Sequence, residues 1–109
     1  MNYVPNQGDM IWLDFTPQSG HEQKGRRPAL VVSNDYFNQH TGLSIVCPIT
    51  TAVRHFPLHI NTDVCSKISG FIMVEQIKSV DYLTRNAEFI EKASDELLVE
   101  VLSVLTACL

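Results

Sequence analysis

Three residue types in this sequence could act together on a phosphate: an arginine pair, a nearby glutamate and a later threonine. Glu22, Arg26 and Arg27 crowd into 21-HEQKGRRPALVVS-33, just before the apolar run Ala29–Val32. An arginine offers a planar fork of donors suited to phosphate oxygens. A carboxylate beside it can accept a proton. Thr50 follows Pro48, where a strand break re-aims side chains. Together they suit cleavage of a phosphodiester without a metal. The same spacing fits a solvated charged turn with Glu22 paired to an arginine, and spacing alone does not separate the two.

Other chemistries find less support. His55 and His59 stand four apart, but Pro57 lies between them in an expected strand, and there is no H-E-x-x-H, so no metal is expected. No phosphate-cradling glycine motif and no G-x-S-x-G is present, and no cofactor is expected. Cys47, Cys65 and Cys108 are odd in number and widely spaced, which excludes a zinc ribbon and points to reduced thiols. The net charge of −4 argues against a general nucleic-acid coat. The charge is uneven, however. Residues 21–60 hold Lys24, Arg26, Arg27 and Arg54 against Glu22 and Asp35, whereas residues 81–109 hold six acids against Arg85 and Lys92.

These side chains must be held by a scaffold. A chain of 109 residues suits one domain, 1–109, with one modest core. No apolar run is long enough to cross a membrane. The opening MNYVPNQGDM lacks the basic and apolar regions of a secretory signal, so a cytoplasmic protein is expected. Alternation predicts a strand over Asp9–Phe15, with Ile11, Leu13 and Phe15 on one face and Met10, Trp12 and Asp14 on the other. Pro28 is expected to open a second strand. Ser33-Asn34-Asp35 caps a short helical turn through Gln39. A third strand spans Leu43–Ile49, with a bulge or strand end at Pro48. Phe56–Ile60, Phe71–Val74 and Lys78–Val80 read as further strands. Ser94 caps a closing helix, with Leu97, Leu98, Val101, Leu102, Leu105 and Leu109 at helical spacing. The pattern predicts a mainly β domain that rolls into a barrel.

Four segments, 8-GDMIWLDF-15, 20-GHEQKGRRPALVVS-33, 46-VCPITT-51 and 75-EQIKSVD-81, resemble the MazF/PemK family of toxins in that family's order and spacing. The resemblance covers nearly the whole chain. It implies an SH3-like β-barrel of the PemK/CcdB type with a C-terminal helix, working as a homodimer. It implies a sequence-specific, metal-independent endoribonuclease that cuts single-stranded mRNA. The 2′-hydroxyl attacks the adjacent phosphate, leaving a 2′,3′-cyclic phosphate and a 5′-hydroxyl, and translation and growth stop. The implied partners are mRNA and a MazE- or PemI-like antitoxin, with DNA met only through the toxin–antitoxin complex. Carried over residue by residue, Arg27 holds the phosphate and Thr50 steadies it. Glu22 is the general base or positions Arg27. Gln23 and Gln76 match positions near the groove, and Lys78 matches a position that is often basic. Arg26 stands where some members carry a histidine, and is left for RNA or antitoxin binding.

A short single-stranded substrate needs a charged groove rather than a charged surface. Lys24, Arg26, Arg27, Arg54 and Lys78 are the candidates to line it. Trp12, Phe15 and Phe56 are candidates for base stacking, although the strand setting of Trp12 and Phe15 favours a core role. Two other functions compete. A toxin of the same fold that poisons DNA gyrase would not need the Glu22–Arg27–Thr50 set. A peptide-binding SH3-like module would need an aromatic groove, and aromatics are 8% of the chain.

Overall fold

The computed structural model describes residues 2–15, 25–52, 56–62 and 67–109. Seven strands, β1 (Asp9–Phe15), β2 (Gly25–Val31), β3 (Leu43–Thr50), β4 (His59–Asn61), β5 (Phe71–Met73), β6 (Lys78–Asp81) and β7 (Glu88–Lys92), form one antiparallel sheet. The order is β4-β5-β3-β2-β1-β7, with β6 also on β3. Helix α1 (Asp35–Thr41) links β2 to β3, and α2 (Asp95–Ala107) ends the chain. The sheet has a barrel-like architecture, yet among the described residues no pairing joins its two ends into a closed barrel.

Both faces of the central strands are buried. Met10, Leu30, Cys47, Ile49, Ile60 and Ile72 pack on one face with Leu97 and Val101 of α2. Ile11, Leu13, Phe15, Ala29, Val31, Val46 and Val80 form a second cluster on the other. The alternation expected of β1 therefore divides two cores at Met10 and Ile11, while Trp12 and Asp14 carry the Met10 face out to partial exposure.

Several boundaries differ from expectation, each for a physical reason. β2 begins at Gly25, not Pro28, because its early residues pair with β1 alone: Gly25 meets Phe15, and the ladder to β3 starts only at Ala29. Pro28 therefore lies outside the β2–β3 ladder. β3 neither ends nor bulges at Pro48. It changes partner there: Ile49 and Thr50 pair with β5, while Leu43–Val46 pair with β6. One continuous run, Phe71–Asp81, supplies both partners. A 3-10 turn (Val74–Gln76) interrupts that run where Cys47 and Pro48 pass. The missing N–H of Pro48 thus falls where no ladder exists on that edge.

α1 runs to Thr41, past Gln39, because Thr41 and the left-handed Gly42 finish its last turn. Its cap is Asn34, whose Oδ1 accepts from the Phe37 N–H. β4 is shorter than Phe56–Ile60, since Pro57 and Leu58 turn before it. β5 gives way to the 3-10 turn at Val74. The sequence pattern assigned nothing to 88–92, because β7 is an edge strand rich in charge, EFIEK. Ser94 caps α2 as expected, its Oγ accepting from the Leu97 N–H at 3.1 Å.

Candidate active site

Strand register decides which candidate residues meet. Leu30 pairs with Cys47 and Ala29 with Pro48. Continued outward, this register sets Arg27 across from Thr50. Residues opposite one another in an antiparallel pair share a face. That face also carries Leu13, opposite Arg27 on β1, and Lys78, opposite Val46 on β6. Arg27, Thr50 and Lys78, far apart in sequence, therefore come to one side of the sheet. The Lys78 ammonium lies 5.4 Å from the ring centroid of Phe15, a cation–π contact.

Thr50 ends β3 and is buried at 8% exposure. Its Oγ1 accepts from the Ala52 N–H at 3.2 Å. A hydroxyl that accepts in this way keeps its own proton to donate. Gly70 makes the position possible: a Cβ there would stand 2.5 Å from the Thr50 carbonyl oxygen, a contact no side chain tolerates. Arg27 is half-buried on β2. Gln76 closes the 3-10 turn, half-buried, just before Lys78. That turn passes beside β3 at the partner switch.

Arg26 is placed differently. As the strand neighbour of Arg27 it projects to the opposite face. Its Nη1 donates to Asp14 Oδ1 at 2.9 Å, and its Nη2 to Glu88 Oε1 at 2.9 Å and to the Asn86 carbonyl at 3.0 Å. Hydrogen bonds from Asn86 first, and from Arg26 next, hold the Asp14 carboxyl below its ordinary range. Glu22, Gln23, Lys24 and Arg54 lie outside the described residues.

Sequence reading singled out no role for His59 or Glu75. The imidazole is almost wholly enclosed, and its Nε2 lies 2.8 Å from Glu75 Oε2. Thr50 pairs with Phe71, Phe71 with Asn61, and Met73 with His59, so this pair continues the face that bears Thr50. Phe56, 45% exposed, packs a tilted ring 5.0 Å from that of His59. A polar residue at a two-residue alternation with Asn61 was the available signal, and it is a weak one. Of the other aromatic candidates, Phe15 is buried and Trp12 half-buried. Cys47 lies in the core, where burial first and the Glu75 charge second push its thiol up to about 12. Among the described residues no group of His, Cys, Asp or Glu is arranged to hold a metal.

The arrangement can grip a phosphate between an arginine and a threonine hydroxyl, with a lysine alongside. The family described as PemK-like, MazF-like toxin of type II toxin–antitoxin system matches residues 6–109. The endoribonuclease toxin MazF of Escherichia coli strain K12 is 38% identical over 85 residues, covering 78% of this chain and 76% of that one. The crystal structure of MazF from Deinococcus radiodurans superposes with a TM-score of 0.91 at 39% identity, over 98% of this chain and 97% of that one. The same protein in a MazE–MazF complex superposes with a TM-score of 0.87 at 39% identity, over 98% and 96%. The chain belongs to the PemK-like, MazF-like toxins of type II toxin–antitoxin systems.

Proposed function

We propose that this chain is an endoribonuclease toxin that cuts single-stranded mRNA by transesterification, and that Arg27, Thr50 and Glu22 carry the reaction. The reading rests on the face shared by Arg27, Thr50 and Lys78, which follows from extending the Ala29–Pro48 register outward and from the Val46–Lys78 pair. Relatives named as endoribonucleases over most of their length support it.

The 2′-hydroxyl attacks the neighbouring phosphorus, the P–O5′ bond breaks, and a cyclic phosphate remains. Glu22 takes the 2′ proton, because a guanidinium stays protonated at neutral pH. Arg27 faces the charge growing on the phosphate oxygens. The Thr50 hydroxyl donates to one of them, since its oxygen already accepts from Ala52. The departing 5′ oxygen takes a proton from solvent water and leaves as the 5′-hydroxyl. The chemistry asks for no metal, because the charge is met by Arg27.

Gln76 and Lys78 line the path of the RNA, and Gln23, Lys24 and Arg54 are further residues proposed to bind it. The partner is a MazE-like antitoxin, a reading supported by the MazE–MazF complex of the similar Deinococcus protein, and it covers this face. The working unit is a homodimer in the cytoplasm. Incubation with a long single-stranded RNA in EDTA tests the reading. Wild type cuts at a short recurrent sequence and leaves cyclic phosphate. Arg27→Ala and Thr50→Ala each lose on the order of 10²-fold in rate, as when a charge-stabilising donor is removed. Intact RNA from a protein that still arrests growth overturns the reading in favour of a gyrase poison.

A further inference from the structure

We infer that Arg26 is a positioning residue rather than an RNA contact: with Asp14, Asn86 and Glu88 it clamps both stems of the segment that carries Glu22, and so fixes where Arg27 is presented. The inference rests on the endoribonuclease reading of the Arg27–Thr50 face.

Asp14 and Arg26 are direct partners across the β1–β2 ladder, one pair before the two strands leave for residues 16–24. A salt bridge of 2.9 Å joins them on the face opposite Arg27. The turn before β7 supplies the rest of the clamp. Asn86, held in the left-handed region at φ 54°, donates through Nδ2 to Asp14 Oδ2 at 2.8 Å. Its carbonyl accepts from Arg26, and the Glu88 carboxylate does the same. Arg85 adds two backbone links to Asp14: its carbonyl accepts from the Asp14 N–H at 2.9 Å, and its Nη1 donates to the Asp14 carbonyl at 3.3 Å. Both stems are thereby tied to β7.

Charge argues the same way. Both terminal nitrogens of Arg26 are already donating, and two carboxylates surround one guanidinium. Phosphate would meet a fork already engaged, in a cluster where Arg26 and Arg85 only balance Asp14 and Glu88. The members are partly exposed, so the bonds contribute little to global stability. What they fix is direction. Successive strand residues face opposite ways, so anchoring Arg26 sets the rotation of β2 at Arg27. A displacement of about 1 Å at such a group can cost 10²-fold in rate.

The test compares wild type, Arg26→Gln, Asp14→Asn, their double variant and Arg26→Lys on the same RNA. Cleavage rate, KM and the salt dependence of RNA binding are measured for each. A positioning role predicts that both single variants lose roughly tenfold in kcat, with KM and the salt slope unchanged. The double variant then matches the singles, because both break one device. Arg26→Lys recovers part of the loss by keeping one donor on Asp14. A raised KM and a shallower salt slope in Arg26→Gln, beside a neutral Asp14→Asn, would make Arg26 an RNA contact and overturn the inference. Wild-type rates in both single variants overturn it equally. Failure of the wild type itself to cut RNA defeats the endoribonuclease reading, and the clamp falls with it.

Discussion

Lys78 holds its ammonium over the ring of Phe15, 5.4 Å from the centroid, although the two belong to strands separated by two others in the sheet. The buried ring gives the charge a fixed seat on the face that carries Arg27 and Thr50. A seated charge meets phosphate at lower entropic cost than a free side chain. Lys78→Gln should weaken RNA binding at low salt, reduce the salt slope by about one, and leave kcat near wild type. A slope that does not change refutes a phosphate contact at Lys78.

Gly70 tests how tightly Thr50 is held. The carbonyl of Thr50 approaches it closer than any Cβ allows. Gly70→Ala must push the end of β3 away from β5. Expected are a stability loss of about 1–3 kcal/mol from overpacking and a rate loss approaching 10²-fold from displacement of the hydroxyl. Thermal melts and single-turnover cleavage measure the two separately. A fully active Gly70→Ala protein would show that Thr50 tolerates movement.

Asn38 anchors the scaffold behind the site. Its Nδ2 donates to the carbonyls of Pro5 at 2.8 Å and Ser33 at 3.2 Å, and its Oδ1 accepts from the Ser33 hydroxyl. The Tyr82 hydroxyl donates to its backbone carbonyl at 2.8 Å. Asn38→Ala strands buried polar groups and should cost about 3 kcal/mol. Tyr82→Phe removes one bond to a carbonyl and should cost about 1 kcal/mol. Urea unfolding reads both, and the order of the two losses is the point at risk.

The thiols should differ sharply. Cys47 is buried with its thiol pushed up to about 12, while Cys108 is exposed at the end of α2. Thiolate is the reactive form. At pH 8 iodoacetamide should label Cys108 within the native state and reach Cys47 only on unfolding, as peptide mass mapping would report. Native labelling of Cys47 contradicts the packing of β3.

Asp14 sets a pH dependence. Its carboxyl is held below the ordinary 3.8 by Asn86 and Arg26. A depressed carboxylate adds stability that is present above the ordinary value and is lost as pH falls through the lowered one. The difference in Tm between wild type and Asp14→Asn should therefore be steady at neutral pH and shrink below about pH 4. A difference that grows on acidification contradicts the clamp geometry.

Much of this fold could be read from the sequence where period and capping agree. β1 follows the alternation of DMIWLDF to the residue, and Ser94 and Asn34 cap their helices through ordinary side-chain bonds. What the residues alone did not reveal depends on pairing at a distance. Pro48 signalled a break, but the partner switch lies in register with Phe71–Asp81, which one strand cannot announce. β7 went unassigned because an edge strand of mixed charge has no buried face to pattern it. Within the site, Arg27 and Thr50 were marked by type and by family likeness, whereas the engagement of Arg26 by Glu88 spans 62 residues and has no local trace. The His59–Glu75 pair escaped for the same reason.

The change of partner along β3 also bears on how such a toxin can diversify. Arg27, Thr50 and Lys78 ride on strands whose register is fixed by two cores, and one inserted residue in β3 would turn Thr50 toward the Ile49 side. Such a toxin is thus free to vary by substitution on the sheet, while any insertion in β3 would part Thr50 from the face of Arg27.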